Sequence, residues 1–245
     1  LIPVFQPKSS MNKFWYIYVP RSVIILTIVA FAIAMMLFPG GNHLDINQIG
    51  YSFTKNFISE LGRFRSMSGD VNFFSSFIFI SICCLNIFLG ISFLKIPKLF
   101  KQNKISYVFA LLGGIFIFIG CLFYIAVGFT PEDLYFQKHI FVAEYFFNTT
   151  SLGIIFFSIA ILFSRIHNLY ASLSLILIAL LVIYAINLSH IPEIDPANTE
   201  LYAETYSMET QIFKVIMQKL MAIMIMINIY TFTFGINNLL NTNDQ

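Results

Sequence analysis

SYVFALLGGIFIFIGCLFYIAVGF, residues 106–129, contains no Asp, Glu, Lys, Arg or His. About 20 apolar residues in a helix cross the roughly 30 Å hydrocarbon core of a bilayer, and a helix satisfies its own backbone polar groups there. The run therefore predicts a spanning helix. It decides the fold because five further runs obey the same rule, at roughly 15–38, 73–95, 139–164, 169–190 and 210–236. The whole chain agrees: 245 residues are 58% hydrophobic and 11% charged, with a mean hydropathy of +0.80, where a soluble domain carries about a quarter charged residues. The expected fold class is all-α, a polytopic membrane protein of six transmembrane helices without a separate soluble domain. The net charge of +2 argues against a nucleic-acid partner.

Working outward, the basic residues sort by loop. Lys8, Lys13 and Arg21 flank the first run, Lys95, Lys98, Lys101 and Lys104 separate the second from the third, and Arg165 follows the fourth. The positive-inside rule puts these loops, and with them both termini, on the cytoplasmic side. Residues 1–14 are then an N-terminal cytoplasmic segment, 15–236 the membrane domain and 237–245 a cytoplasmic tail. Residues 1–10 precede Met11 and are set aside as an artificially added segment or a natural extension; the first apolar run is full length and is expected to be a span rather than a cleaved signal. Cys83, Cys84 and Cys121 lie inside apolar runs without metal-type spacing. Gly113, Gly114, Gly120 and Gly128 in the third run are expected to let helices pack closely.

The opposite face carries loop 39–72, the TPEDLYFQK turn at 130–138, and the acidic loop with Glu193, Asp195, Glu200 and Glu204. In loop 39–72 the stretch NFISELG, residues 56–62, stands out as polar. Phe53, Phe57, Leu61 and Phe64 recur at i, i+4, i+8 and i+11, which predicts an amphipathic cap helix over 53–64. Asn56, Ser59, Glu60 and Arg63 would share one flank of it, either capping backbone groups and pairing Glu60 with Arg63 in solvent, or facing a pocket at the mouth of the bundle. Ionisable groups inside the spans are costly and mark candidate sites. Glu144 lies about one and a half turns into the fourth span. Lys219 lies two to three turns into the sixth, where it is expected to snorkel or to pair with Glu60, Asp70, Asp133 or Glu144.

NFISELG before a second span, with G-F-x-P-x-D closing the third and a histidine opening the fourth, resembles the prokaryotic six-span family catalogued as domain of unknown function 998. It is also distantly similar to the DRAM/Sfk group, which shares an ISELG-like element in the first outer loop. The resemblance extends over about 15–236, though its specific part is short: Asn56, Ser59, Glu60 and Gly62, then Pro131, Asp133 and His139. Gln218–Lys219 stands where the family often has Gln-Arg, and the lysine lacks the bidentate fork of a guanidinium. The resemblance implies a six-span architecture in a prokaryotic cytoplasmic (inner) membrane with an outward polar site, and supplies no activity.

The leading expectation is a polar pocket at the outer mouth, formed by Asn56, Ser59, Glu60, Arg63, Asp133, His139, Glu144 and Lys219, that binds a lipid headgroup or small amphipathic molecule for binding, sensing or transport, with no cofactor. H-E-x-x-H, G-x-S-x-G and phosphate-cradling loops are missing from the sequence. Two alternatives stand beside it. His43, His139 and His190 fall on the same face and could hold a zinc that activates water in a membrane lipid hydrolase. The chain could instead be a structural subunit packed against partner membrane proteins.

Overall fold

The computed structural model describes residues 13–188 and 193–243. Six helices in it are long and apolar enough to cross a membrane: Phe14–Leu37, Phe73–Phe100, Lys104–Phe129, Glu132–Leu162, Leu169–Asn187 and Met208–Leu240. In chain order they are α1 (Val19–Leu37, entered through a π-helical turn Phe14–Tyr18), α2 (Phe73–Lys95, prolonged by a 3-10 turn Ile96–Phe100), α3 (Lys104–Phe129), α4 (Glu132–Leu162), α5 with α6 (Leu169–Ser172 and Ser174–Leu188) and α8 (Met208–Asn243). A short helix, α7 (Thr199–Thr205), precedes α8, and strands β1 (Gly40–Asn42) and β2 (Asp45–Ile49) form an antiparallel hairpin after α1.

The spans alternate in direction, so the start of the first and the end of the sixth meet. Arg21 at the start of α1 donates to Thr233 near the end of α8 at 2.8 Å, and Ser92 near the end of α2 donates to the Trp15 carbonyl. Between them Phe157 packs edge-to-face with Phe93 and tilted against Phe232, with ring centroids 5.3 and 5.2 Å away. Aromatic pairs at such separations add to the burial of their area. Helices α3 and α4 touch backbone to backbone: a Cβ on Gly113 would lie 2.9 Å from the Gly153 carbonyl. The small-residue packing expected of α3 is found there. The fifth span, Leu169–Asn187 (α5 and α6), by contrast has only 17% of its apolar window buried within the chain, against 44% for α4 and α8, so it is the most peripheral of the six.

At the other end lie the hairpin, the Thr130–Pro131 turn and α7. Two expectations change here. The fourth helix starts at Glu132 rather than near 139, because Pro131 opens it with Glu132 and Asp133 in its first turn, where acids meet the unpaired N–H groups; the helix then bends at Tyr135 (φ −141°, ψ 47°). The predicted twelve-residue cap helix is a five-residue 3-10 turn, Ile58–Gly62. Its stripe divides, with Phe53 and Phe64 exposed while Leu61 is fully buried beside Phe31, Phe38 and Phe79. The reason is competition for backbone groups: the Asn56 side chain accepts from Ser52 N at 2.8 Å and the Glu60 carboxylate from Phe57 N at 2.7 Å, so side chains replace a helical ladder.

Candidate functional site

Asn56 ties the cap together. Its amide donates to the Gly41 carbonyl and to Glu60 Oε2, both at 2.7 Å, and its Oδ1 accepts from Gln48 Nε2 at 2.6 Å. The tie runs on to α8, where Gln218 accepts from Ile58 N at 2.9 Å and Gln211 donates to the Lys55 carbonyl at 2.8 Å. Glu60, with no exposed surface, thus caps the 3-10 turn from below. Gly62 is pressed onto α2, since a Cβ there would meet the Phe79 ring.

The hairpin delivers a histidine to that carboxylate. Asn42 accepts from Leu44 N and Asp45 N at 2.9 and 3.1 Å, an Asx turn that sets His43 at the tip, where it is buried. His43 Nε2 stands 3.5 Å from Glu132 Oε1 and 3.8 Å from Glu60 Oε1, and Nδ1 is 3.0 Å from the Tyr202 hydroxyl of α7. Burial opposes a charge on this ring, but the Glu132 and Glu60 carboxylates outweigh it and raise its pKa. Burial likewise holds Glu60 toward its protonated form, with Glu132 reinforcing it and His43 opposing it. Arg63 completes the cluster through a 3.1 Å ion pair with Glu132 Oε2. Carboxylate, imidazole, carboxylate and guanidinium therefore alternate in sequence through a water-poor space, where each needs its neighbour.

Beside the cluster, between α4, α6 and α8, opens a cavity of about 270 Å³, close to the roughly 300–1,000 Å³ of small-molecule sites. Its polar wall includes His43, Glu132, His139, Glu144, Glu193 and Lys214. Lys214 Nζ is bound to both Glu193 oxygens at 3.1 and 3.2 Å, and His139 Nδ1 lies 2.7 Å from the Thr130 carbonyl, to which it donates. Deeper in the bundle a second, apolar cavity of about 80 Å³ runs between Phe31, Phe79, Leu89, Ile117 and Ile225. The two share Ser59, Ala143, Phe147 and Gln218 as walls.

The predicted residues separate into distinct places. Ser59, His139 and Glu144 line the polar cavity, while Asn56 and Glu60 stand behind its wall as the cap's internal frame. Arg63 pairs with Glu132, not with Glu60 in solvent. Asp133 accepts from Phe64 N and Arg65 N at 3.0 and 2.9 Å, clamping the end of the cap to α4. Lys219 makes no direct ion pair with the carboxylates expected for it: no acid among the described residues lies within 4 Å of its ammonium, which donates to the Asn56 carbonyl, while Glu60 acts on it from farther away. It lines a different groove, between α1 and α8.

Of the histidines considered for zinc, His43 and His139 border one cavity, and His190 lies outside the described residues. Among the described residues no three His, Cys, Asp or Glu side chains form a metal-ready group. Sequence reasoning passed over Glu132, which the Pro131 helix start could have revealed, and Tyr202, for which no local pattern gave a signal; Lys214 carried the same charge-in-a-span signal as Lys219 in the sixth run but was not placed in the site. Set against protein-family models, curated proteins and solved structures, the chain matches none.

Proposed function

We propose that the protein binds an amphipathic molecule, a lipid or a lipid-like metabolite, with its polar head in the cavity of Glu132, His139, Glu144, Glu193 and Lys214 and its apolar part in the adjoining cavity. The observation that carries this reading is the shared wall of Ser59, Ala143, Phe147 and Gln218, which joins a polar chamber to an apolar one. The polar wall sets three acids, Glu132, Glu144 and Glu193, against three basic side chains, His43, His139 and Lys214, which suits a head bearing both hydrogen-bond donors and acceptors. Access is lateral, past the peripheral α6, and the head faces the outer side of the membrane, since the basic loops lie at the opposite end. Binding, sensing and transport all use such a site.

The test is native mass spectrometry of protein extracted with its own membrane lipids. An amphiphile retained by the wild type and lost on Ala143→Trp, which fills the passage between chambers, is the expected result. A wild type that retains nothing, or a variant that retains the same mass, ends the proposal. The zinc hydrolase stands as the second reading on one observation: His139 Nδ1 is held by a backbone carbonyl, the support that metal-ligating histidines use when Nε2 takes the metal. Stoichiometric zinc lost on His139→Ala is its mark.

A further inference from the structure

We infer that a second site, separate from the amphiphile cavity, binds the carboxylate of a long-chain fatty acid at Lys219, with the acyl chain lying in the groove between α1 and α8. Three observations carry it. Lys219 is 2% exposed, yet no carboxylate among the described residues lies within 4 Å of it, and Glu60 acts on it only from farther away. Its one described hydrogen bond goes to the Asn56 carbonyl, leaving ammonium donors for a further acceptor. A cation so enclosed calls for an anion.

The second observation is the groove itself. About 310 Å³ of open space lies along Ile28, Ala32 and Met35 of α1 and Ile223 and Ile227 of α8, and Lys219 is the one charged residue among those lining it. A single apolar channel with one cation at its head matches a single-chain anion in both polarity and charge.

The third observation limits the head. Nζ lies 5.3 Å from the Tyr51 ring centroid and 5.0 Å from that of Phe53, so the ammonium is roofed by two rings. A slim terminal carboxylate suits a cation so placed better than a phosphodiester with its glycerol and second chain. The carboxylate would also relieve the burial of Lys219 while the rings shield the pair from competing water.

Equilibrium binding of radiolabelled palmitate to the purified protein in an uncharged detergent tests the inference. Saturable single-site binding is expected, with hexadecanol competing at least about tenfold more weakly because it lacks the charge. Lys219→Met should weaken binding by about tenfold or more, and Lys219→Arg should retain it. Ala32→Trp fills the groove while leaving Lys219 and its Asn56 bond in place, and should abolish binding; it decides the matter alone where Lys219→Met does not fold. Palmitate binding unchanged in Ala32→Trp, or no saturable binding in the wild type, means that Lys219 only bolts the cap to α8 and overturns the site. Preferential displacement of palmitate by phosphatidylglycerol overturns the fatty-acid assignment. Ala143→Trp, which closes the other cavity, should leave palmitate binding intact, so the two sites fail independently.

Discussion

At the end of the bundle where the first span starts and the sixth ends, Lys95 Nζ sits 3.5 Å from the Trp15 ring centroid and the Arg21 guanidinium 4.2 Å from that of Phe234. At the hairpin end, Arg63 and Lys214 are each held at 3.1 Å by a carboxylate, Glu132 and Glu193. Both ends set cations on rings, as Lys214 lies 4.6 Å from the Tyr206 ring centroid and Lys219 5.0 Å from that of Phe53. At the first end, however, Lys95 and Arg21 have no carboxylate partner among the described residues, the arrangement of an interfacial anchor. The other encloses charges of both signs among buried groups, an arrangement that resists solvation and must be satisfied internally. The same six helices thus end in an anchor on one side and a site on the other, and the ends should answer differently to the same kind of substitution.

The largest difference is expected at the buried pair. Arg63→Met leaves Glu132 without its ion-pair partner and should cost about 3–5 kcal/mol of stability, read from unfolding in detergent, whereas Arg63→Met with Glu132→Leu should recover most of the loss. A cost for Arg63→Met below about 1 kcal/mol would show the pair to be as weak as an exposed one and would erase the contrast. Next comes Asp133→Ala, which deprives Phe64 N and Arg65 N of their acceptor; a loss of roughly 1–3 kcal/mol is expected, with faster hydrogen exchange at those two amides. Unchanged exchange there would remove the clamp.

How far the sequence reveals each end follows from what sets them. Span length and the positions of lysines are local, so the number of helices and the gathering of basic loops at one end could be read directly from runs such as 106–129. The hairpin end is built from contacts between residues far apart in the chain: His43 meets Tyr202 across 159 positions and Lys219 meets Asn56 across 163. NFISELG announced a polar element, but the period of its phenylalanines pointed to a helix because the pattern is blind to Asn56 and Glu60 bonding the backbone. Glu144 was found because charge in a span is conspicuous. Glu132 was hidden, although it is the more enclosed, because a carboxylate beside Pro131 reads as a loop.

Acidity should distinguish the ends in a graded way. His43 and Glu60 both have raised pKa values in the folded protein, so the folded state binds more protons than the unfolded one as each group titrates. For Glu60 the stabilisation is complete below its ordinary value of 4.5 and fades as pH rises through the raised value; for His43 it is complete below 6.5 and fades above. Stability should therefore decline as pH rises from about 5 to 8, each group contributing at most about 1.4 kcal/mol per pH unit. His43→Gln should flatten the upper part of the decline, with Glu60, Glu132, Arg63 and Tyr202 still in place around it. A slope unaltered by His43→Gln would place the titration elsewhere.

The smallest effect belongs to the anchor. Lys95→Met removes a cation from the Trp15 ring but keeps an apolar stem of similar length against it, and no buried carboxylate is left behind. The expected cost is about 0.5–1 kcal/mol, the range for exposed cation–π contacts, and Lys95→Arg should restore it, since a guanidinium stacks on a ring as well as an ammonium does. Trp15 is the chain's single tryptophan, so its fluorescence reports this contact alone: the emission should shift on Lys95→Met while the hairpin end keeps its unfolding midpoint. A cost approaching that of Arg63→Met would mean that Lys95 is held by more than the ring, and that the two ends differ in the chemistry of their partners but not in how much of the fold depends on them.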